Sequence, residues 1–188
     1  MTLSLPRLEL RNIKARLFLN TPLKSFSLED IHFIEQTGAS FRNKNQHQII
    51  TLENFAVFTV YKYSRHFINV TGLKSQLALD NLPNVVLNIF KANVIQIQIE
   101  NMTFSRKVKN MTFSSNKMLK LISKQDSKIF HFDNTLENFH APWIHSKYGS
   151  FNLFTTGSVT LVGLKTLDNL KKIEDYLDCI YCPESLIK

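Results

Sequence analysis

Hydrophobic and polar positions along the chain fall into short alternating runs, interrupted by a few stretches with helical spacing. In LELRNIKARLFLN, Leu8 to Asn20, apolar residues recur at alternate positions, the period of a strand with one buried face. SLEDIHFIEQTG, Ser27 to Gly38, opens on a serine suited to an N-cap, with Glu29 and Asp30 in the first turn, and so predicts a helix. HQIITLEN, FAVFTVYKY and HFINVTGLK follow as β-branched and aromatic runs of strand type. A helix is predicted from about Leu77 to Lys91, with Pro83 in its first turn, where a missing N–H is tolerated.

The remainder of the chain repeats this order. VIQIQIENMTFS alternates strictly, and SSNKMLKLISK reads as a short basic helix capped by Ser114 or Ser115. KIFHFDN, FHAPWIHSK, SFNLFTT and SVTLVGLK then read as strands. TLDNLKKIEDYLDCIY has apolar residues at 167, 170, 173, 177 and 180, one face of a helix. Asn12 and Asn101 are 89 positions apart, Tyr63 and Phe154 are 91 apart, and Gly72 and Gly163 are 91 apart. Near-constant offsets in three separate elements imply a duplication, with repeats at residues 1–94 and 95–188 intertwined in one domain. Each repeat reads β, α, several strands, α, which implies an α+β class with one curved antiparallel sheet and helices on one face.

Charge adds a direction to this picture. The formal net charge is +8, with 11 Lys/Arg against 6 Asp/Glu in residues 1–94 and 12 against 9 in residues 95–188, or +5 and +3. A spread positive charge favours an anionic partner such as nucleic acid. The only cysteines, Cys179 and Cys182, lack the second ligand pair of a structural zinc site and read as thiols flanking a helix end. No signal-peptide pattern and no run of eighteen apolar residues occurs, so the expectation is a soluble intracellular protein, with the sequons at Asn69, Asn101 and Asn110 coincidental. No phosphate-loop, zinc-protease or nucleophile-elbow motif occurs, and we expect no enzyme, no metal and no cofactor. His140 and His145 beside Trp143 read most simply as a hairpin edge rather than as a metal or base-stacking site.

Four pieces carry a family likeness. LRNIKA with Asn12 and IENMTF with Asn101 are similar to a strand motif of the type I-Q-N-I-V, and YSRHFINVTGLK and FTTGSVTLVGLK to a motif of the type F-x-S-G-K-x-V-x-T-G-A-K. In order and spacing the whole chain resembles the core of the TATA-binding protein (TBP) family. The resemblance implies a saddle whose concave sheet occupies the minor groove of A/T-rich duplex DNA and bends it, while the convex helices meet general transcription factors of the IIA and IIB type and the RNA polymerase machinery in a nuclear pre-initiation complex. The wedging mechanism is one the family itself exemplifies.

Transferred to this chain, the resemblance implies that Asn12 and Asn101 donate to adenine N3 and thymine O2. It gives Phe154 and Phe139 as aromatic wedges of the second repeat and Tyr63 as the wedge of the first, with Gln46 or His47 at the remaining wedge position. Lys14 and Thr103, then Asn69 and Thr160, stand where small apolar residues normally face the sugars; Thr71 keeps the family residue and Val162 does not. Lys74 and Lys165 become phosphate contacts at the sheet edge. Glu137 to Pro142 corresponds to the turn that meets factor IIB and differs from it, and LALDNLPNVVLNIFK is much less basic than the family's helix, so the partners are expected to diverge. Two other readings stay open: a TBP-fold interaction subunit with weak or no sequence-specific DNA binding, and a basic RNA-binding or other β-rich domain whose repeat likeness is accidental.

Overall fold

A computed structural model of the chain describes residues 7–107, 130–133, 141 and 143–181. These fall into two compact units, one running from Arg11 to Asn101 and the other from Met102 onward together with the residues before Arg11. Among the described residues there are ten strands and four helices.

The first unit contains β1 (Glu9–Leu19), α1 (Leu28–Gln36), β2 (Ala39–Asn43), β3 (His47–Leu52), β4 (Ala56–Tyr61), β5 (Ser64–Leu73), α2 (Gln76–Asp80), α3 (Leu82–Phe90) and the start of β6 (Val94–Lys107). The strand order is β2-β3-β4-β5-β1-β6, and the pairs from β2 to β1 are antiparallel. Alternation divides each strand between two faces. Ile13, Ala15, Leu17, Ile50, Phe58, Val60, Ile68 and Val70 are buried. On this covered face the Phe58 ring meets Phe90 of α3 at 5.5 Å. The other face carries half-buried residues, among them Asn12, Lys14, Arg16 and Phe18 on β1 and Phe67, Asn69 and Thr71 on β5.

The second unit has the order β6-β10-β9-β8-β7, with β7 (Phe130–Asp133), β8 (Trp143–Ser146), β9 (Gly149–Leu153) and β10 (Ser158–Leu164) in antiparallel pairs. Helix α4 (Asp168–Tyr181) buries Ile173, Tyr176, Leu177, Ile180 and Tyr181, and its Tyr176 packs edge-on against Phe151 of β9 at 5.9 Å. The buried Tyr181 hydroxyl donates to the Gly157 carbonyl at 3.0 Å, tying the helix end to the β9–β10 turn; burial raises its pKa above the usual phenol value.

Three local features refine the sequence expectations. The predicted helix from Leu77 to Lys91 is two helices meeting at Asn81, because Pro83 has no N–H to continue the ladder and restricts the residue before it. Strand β2, ASFRN, is a further element, held by its pairing with β3 rather than by any alternation of its own. Gly72 and Gly163 have φ of +92° and +84° and sit where β5 and β10 each carry one extra residue relative to their partners. A glycine at positive φ is the residue such a bulge requires. At the predicted start of α1, Ser27 accepts from the Asp30 N–H at 3.1 Å while Asp30 accepts from the Ser27 N–H at 2.8 Å, a reciprocal cap.

Candidate nucleic-acid interface

The open face of the first unit begins from β1, whose even-numbered residues point away from the core. The Gly72 N–H donates to Asn12 Oδ1 at 2.7 Å, and since a backbone N–H can only donate, the amide oxygen is the atom facing the bulge. The carboxamide is thereby oriented by the fold, with its two N–H donors uncommitted among the described residues. The repeated asparagine and glycine of the sequence are thus coupled here in one contact.

Next along the same row, Lys14 and Arg16 converge on Glu100 of β6. Lys14 Nζ lies 2.8 Å from Glu100 Oε2, and Arg16 Nη2 lies 2.7 Å from Oε1. The hydrogen bond from Lys14 is the main cause that holds the Glu100 carboxyl below its usual pKa, aided by the charges of both cations and opposed by partial desolvation. Lys14 is therefore held in an ion pair rather than standing as a free cation. Arg16 also donates through Nε to Asn69 Oδ1 at 3.2 Å and covers the Phe67 ring at 4.7 Å from its centroid.

The aromatic content of this face extends across four strands. His47 and Tyr61 have centroids 5.8 Å apart, Tyr61 and Phe67 6.1 Å, and Phe67 and Phe18 6.5 Å. Beside this row, in the tight β4–β5 turn, Tyr63 is 88% exposed. Arg16, Phe18 and Phe67 were not singled out from the sequence, although a two-residue step from Lys14 and from Asn69 puts all three on the open face.

Asn101, at the end of the first unit, and Thr103, Thr160 and Val162 of the second are half-buried, on the alternate positions to Met102, Phe104, Val159 and Leu161 of the core. Phe154 is half-buried in the β9–β10 turn, its N–H donating to the Ser158 carbonyl at 2.9 Å. Tyr63 and Phe154 therefore occupy corresponding hairpin turns, as the offset of their positions implies. Lys74 and Lys165 are exposed immediately after β5 and β10. Trp143 and His145 stack along β8 with centroids 6.0 Å apart, and His145 Nδ1 lies 3.0 Å from Ser150 Oγ. Phe139, His140, Cys182 and the predicted helix SSNKMLKLISK lie outside the described residues. Among the described residues no group of three His, Cys, Asp or Glu side chains is arranged to hold a metal, and no helix is long and apolar enough to cross a membrane.

Together these features define an α+β protein of two compact units, each with a core-facing and an open sheet face. Among solved structures, the TBP of Methanococcus jannaschii superposes with a TM-score of 0.62 at 16% identity, covering 94% of this chain and 99% of that one. The chain has a TBP-like α+β fold. Aspartate kinase of Clostridium acetobutylicum matches with a TM-score of 0.28 and 12% identity over 96% of this chain and 36% of that one. A structure of A. aeolicus tRNASec with M. kandleri SerRS matches with a TM-score of 0.39 and 12% identity over 92% and 30%. Superpositions that loose do not bear on this chain. No family model and no curated protein matches its sequence.

Proposed function

We propose that this protein is a divergent TBP-like transcription initiation factor that binds A/T-rich duplex DNA through the minor groove, bends it and recruits general transcription factors at the site where its genome is transcribed, the nucleus in a nucleated cell. The observation that carries this reading is the oriented carboxamide of Asn12, with its acceptor bound to Gly72 and its donors uncommitted. An A·T pair presents only acceptors in the minor groove, so a fixed pair of N–H donors is the complementary group. Asn101, 89 positions on, takes the corresponding place on β6, Thr71, Thr103 and Val162 supply neighbouring contacts, and Tyr63 and Phe154, with Phe139, act as wedges. Lys74 and Lys165 hold phosphates and fix register without reading sequence. Fold likeness to the M. jannaschii protein supports the reading, which requires no catalytic step, no cofactor and no membrane.

The test is bending of a TA-rich duplex, read by fluorescence transfer between its ends and by competition with a G·C-rich duplex of equal length. A·T preference and a bend that is lost in Phe154→Ala are the expected results. Sequence-blind binding without a bend would refute the reading.

One observation favours a second reading, a TBP-fold interaction subunit with weak DNA binding. Glu100 puts a carboxylate beside Lys14 and Arg16 on the open face, and a fixed acceptor there opposes the acceptors of an A·T groove. If Glu100→Gln strengthens A·T-rich duplex binding by tenfold or more from a wild-type level too weak to bend DNA, the second reading is favoured.

A further inference from the structure

Rings on the covered face of the first unit are used for packing, as Phe58 against Phe90 shows. The row His47, Tyr61, Phe67 and Phe18 lies on the other face, where all four are half-buried. They come from four adjacent strands, β3, β4, β5 and β1, at one level across the sheet, with successive centroids between 5.8 and 6.5 Å apart. His47 with Tyr61 and Phe18 with Phe67 are directly opposed pairs in the register. A cavity of about 260 Å³ opens between Tyr61, Phe67 and the exposed Tyr63, with Gln46 and Asn69 among its polar lining. Arg16 brings its guanidinium over Phe67 at the same place.

Stacked base pairs in a duplex offer a groove-binding protein their edges, and their faces are already covered. Unpaired bases offer faces, and these stack on aromatic rings and on guanidinium planes. A transverse row of rings is therefore fitted to unpaired bases rather than to a groove floor. Amide groups at the rim of the cavity can pair with base edges, and the positive charge of the chain suits the phosphates between them. We propose that the open face of the first unit is a stacking platform for single-stranded nucleic acid, with Tyr61, Phe67 and Tyr63 seating one base and the ring row carrying its neighbours. This activity shares Tyr63 and the open face with the duplex reading but does not depend on duplex bending.

The experiment measures anisotropy of a labelled oligothymidylate and of an oligodeoxynucleotide of the same length without bases, at one salt concentration. Oligothymidylate is expected to bind about tenfold or more tightly than the abasic strand, since phosphates are common to both. Phe67→Leu, which keeps an apolar side chain, and Tyr63→Ser, at a site too exposed to affect folding, should each lower the affinity for oligothymidylate about fivefold or more and leave the abasic strand unchanged. An oligouridylate probe assigns the sugar, and base-dependent binding of either nucleic acid sustains the proposal. Oligothymidylate and oligouridylate both binding no more tightly than the abasic strand, or Tyr63→Ser and a folded Phe67→Leu both indistinguishable from wild type, would overturn it.

Discussion

Position 17 in β1 and position 106 in β6 stand 89 residues apart, the same offset as the repeated asparagines, yet one is leucine and the other arginine. Leu17 is fully buried in the first unit, opposite Ile68 of β5 in the register. Arg106 is also buried, 4% exposed; its Nη1 lies 2.9 Å from Asp178 Oδ1 on α4 and its guanidinium 5.0 Å from the Tyr181 ring centroid. The first unit thus fills this position with a buried apolar side chain, and the second fills it with a cation met by a carboxylate and a ring from α4. A buried charge is held at a substantial desolvation cost and must be matched in place, so the second solution ties β6 to α4 more specifically without necessarily adding stability. Among the described residues the open faces differ as well: rings cross the strands in the first unit, while Trp143 and His145 stack along a single strand in the second.

The largest expected effect tests whether the two cores are equivalent. Phe58→Ala and Phe151→Ala each remove a fully buried ring and should each cost about 4 kcal/mol in urea denaturation. A single transition shifted equally by both indicates units that unfold together, and a split transition in only one variant indicates independent cores. Asp178→Ala, which strips the buried Arg106 of its carboxylate, should cost about 2 kcal/mol, less than a fully buried pair because Asp178 is half exposed. Arg106→Leu, which imports the solution of the first unit, should lie within about 1.5 kcal/mol of wild type in either direction. A larger loss would show that the guanidinium is required for packing against Tyr181.

Asn12 separates structural from recognition roles. Asn12→Ala removes the acceptor for Gly72 and should cost about 1 kcal/mol. Asn12→Asp retains that acceptor and should preserve the melting temperature within a few degrees, while removing both donors and weakening A·T-rich duplex binding. Equal DNA affinity in wild type and Asn12→Asp would confine the residue to the bulge. The smallest effect concerns Glu100, whose folded pKa is depressed below the usual value. Its contribution is therefore present above the unfolded carboxyl pKa and lost as pH falls through the lower folded one, by about 1 kcal/mol or less for a pair open to solvent. Glu100→Gln should remove that acid-side slope from a melting-temperature profile and leave the neutral-pH fold intact.

Much of the architecture was legible because it is written in period and offset. The alternation of β1, the cap at Ser27, the apolar face of α4 and the register of Tyr63 with Phe154 are all local or periodic, and all appear at the expected positions. Strand β2 was not legible, since ASFRN has no alternation of its own and exists through its bonds to β3. The bend at Asn81 was half legible: Pro83 was seen as a helix-start residue, but the helix it starts is α3 alone.

By itself the sequence determined an α+β chain, the spacing of its two asparagines and its paired hairpin aromatics, because side-chain period and offset are properties of the chain in one dimension. Only the tertiary structure decided what stands beside each of them. Lys14 and Arg16 lie 86 and 84 positions before Glu100, and the aromatic row draws on residues from Phe18 to Phe67; such contacts follow from strand order and bulge register, which bring distant residues to one level of a sheet.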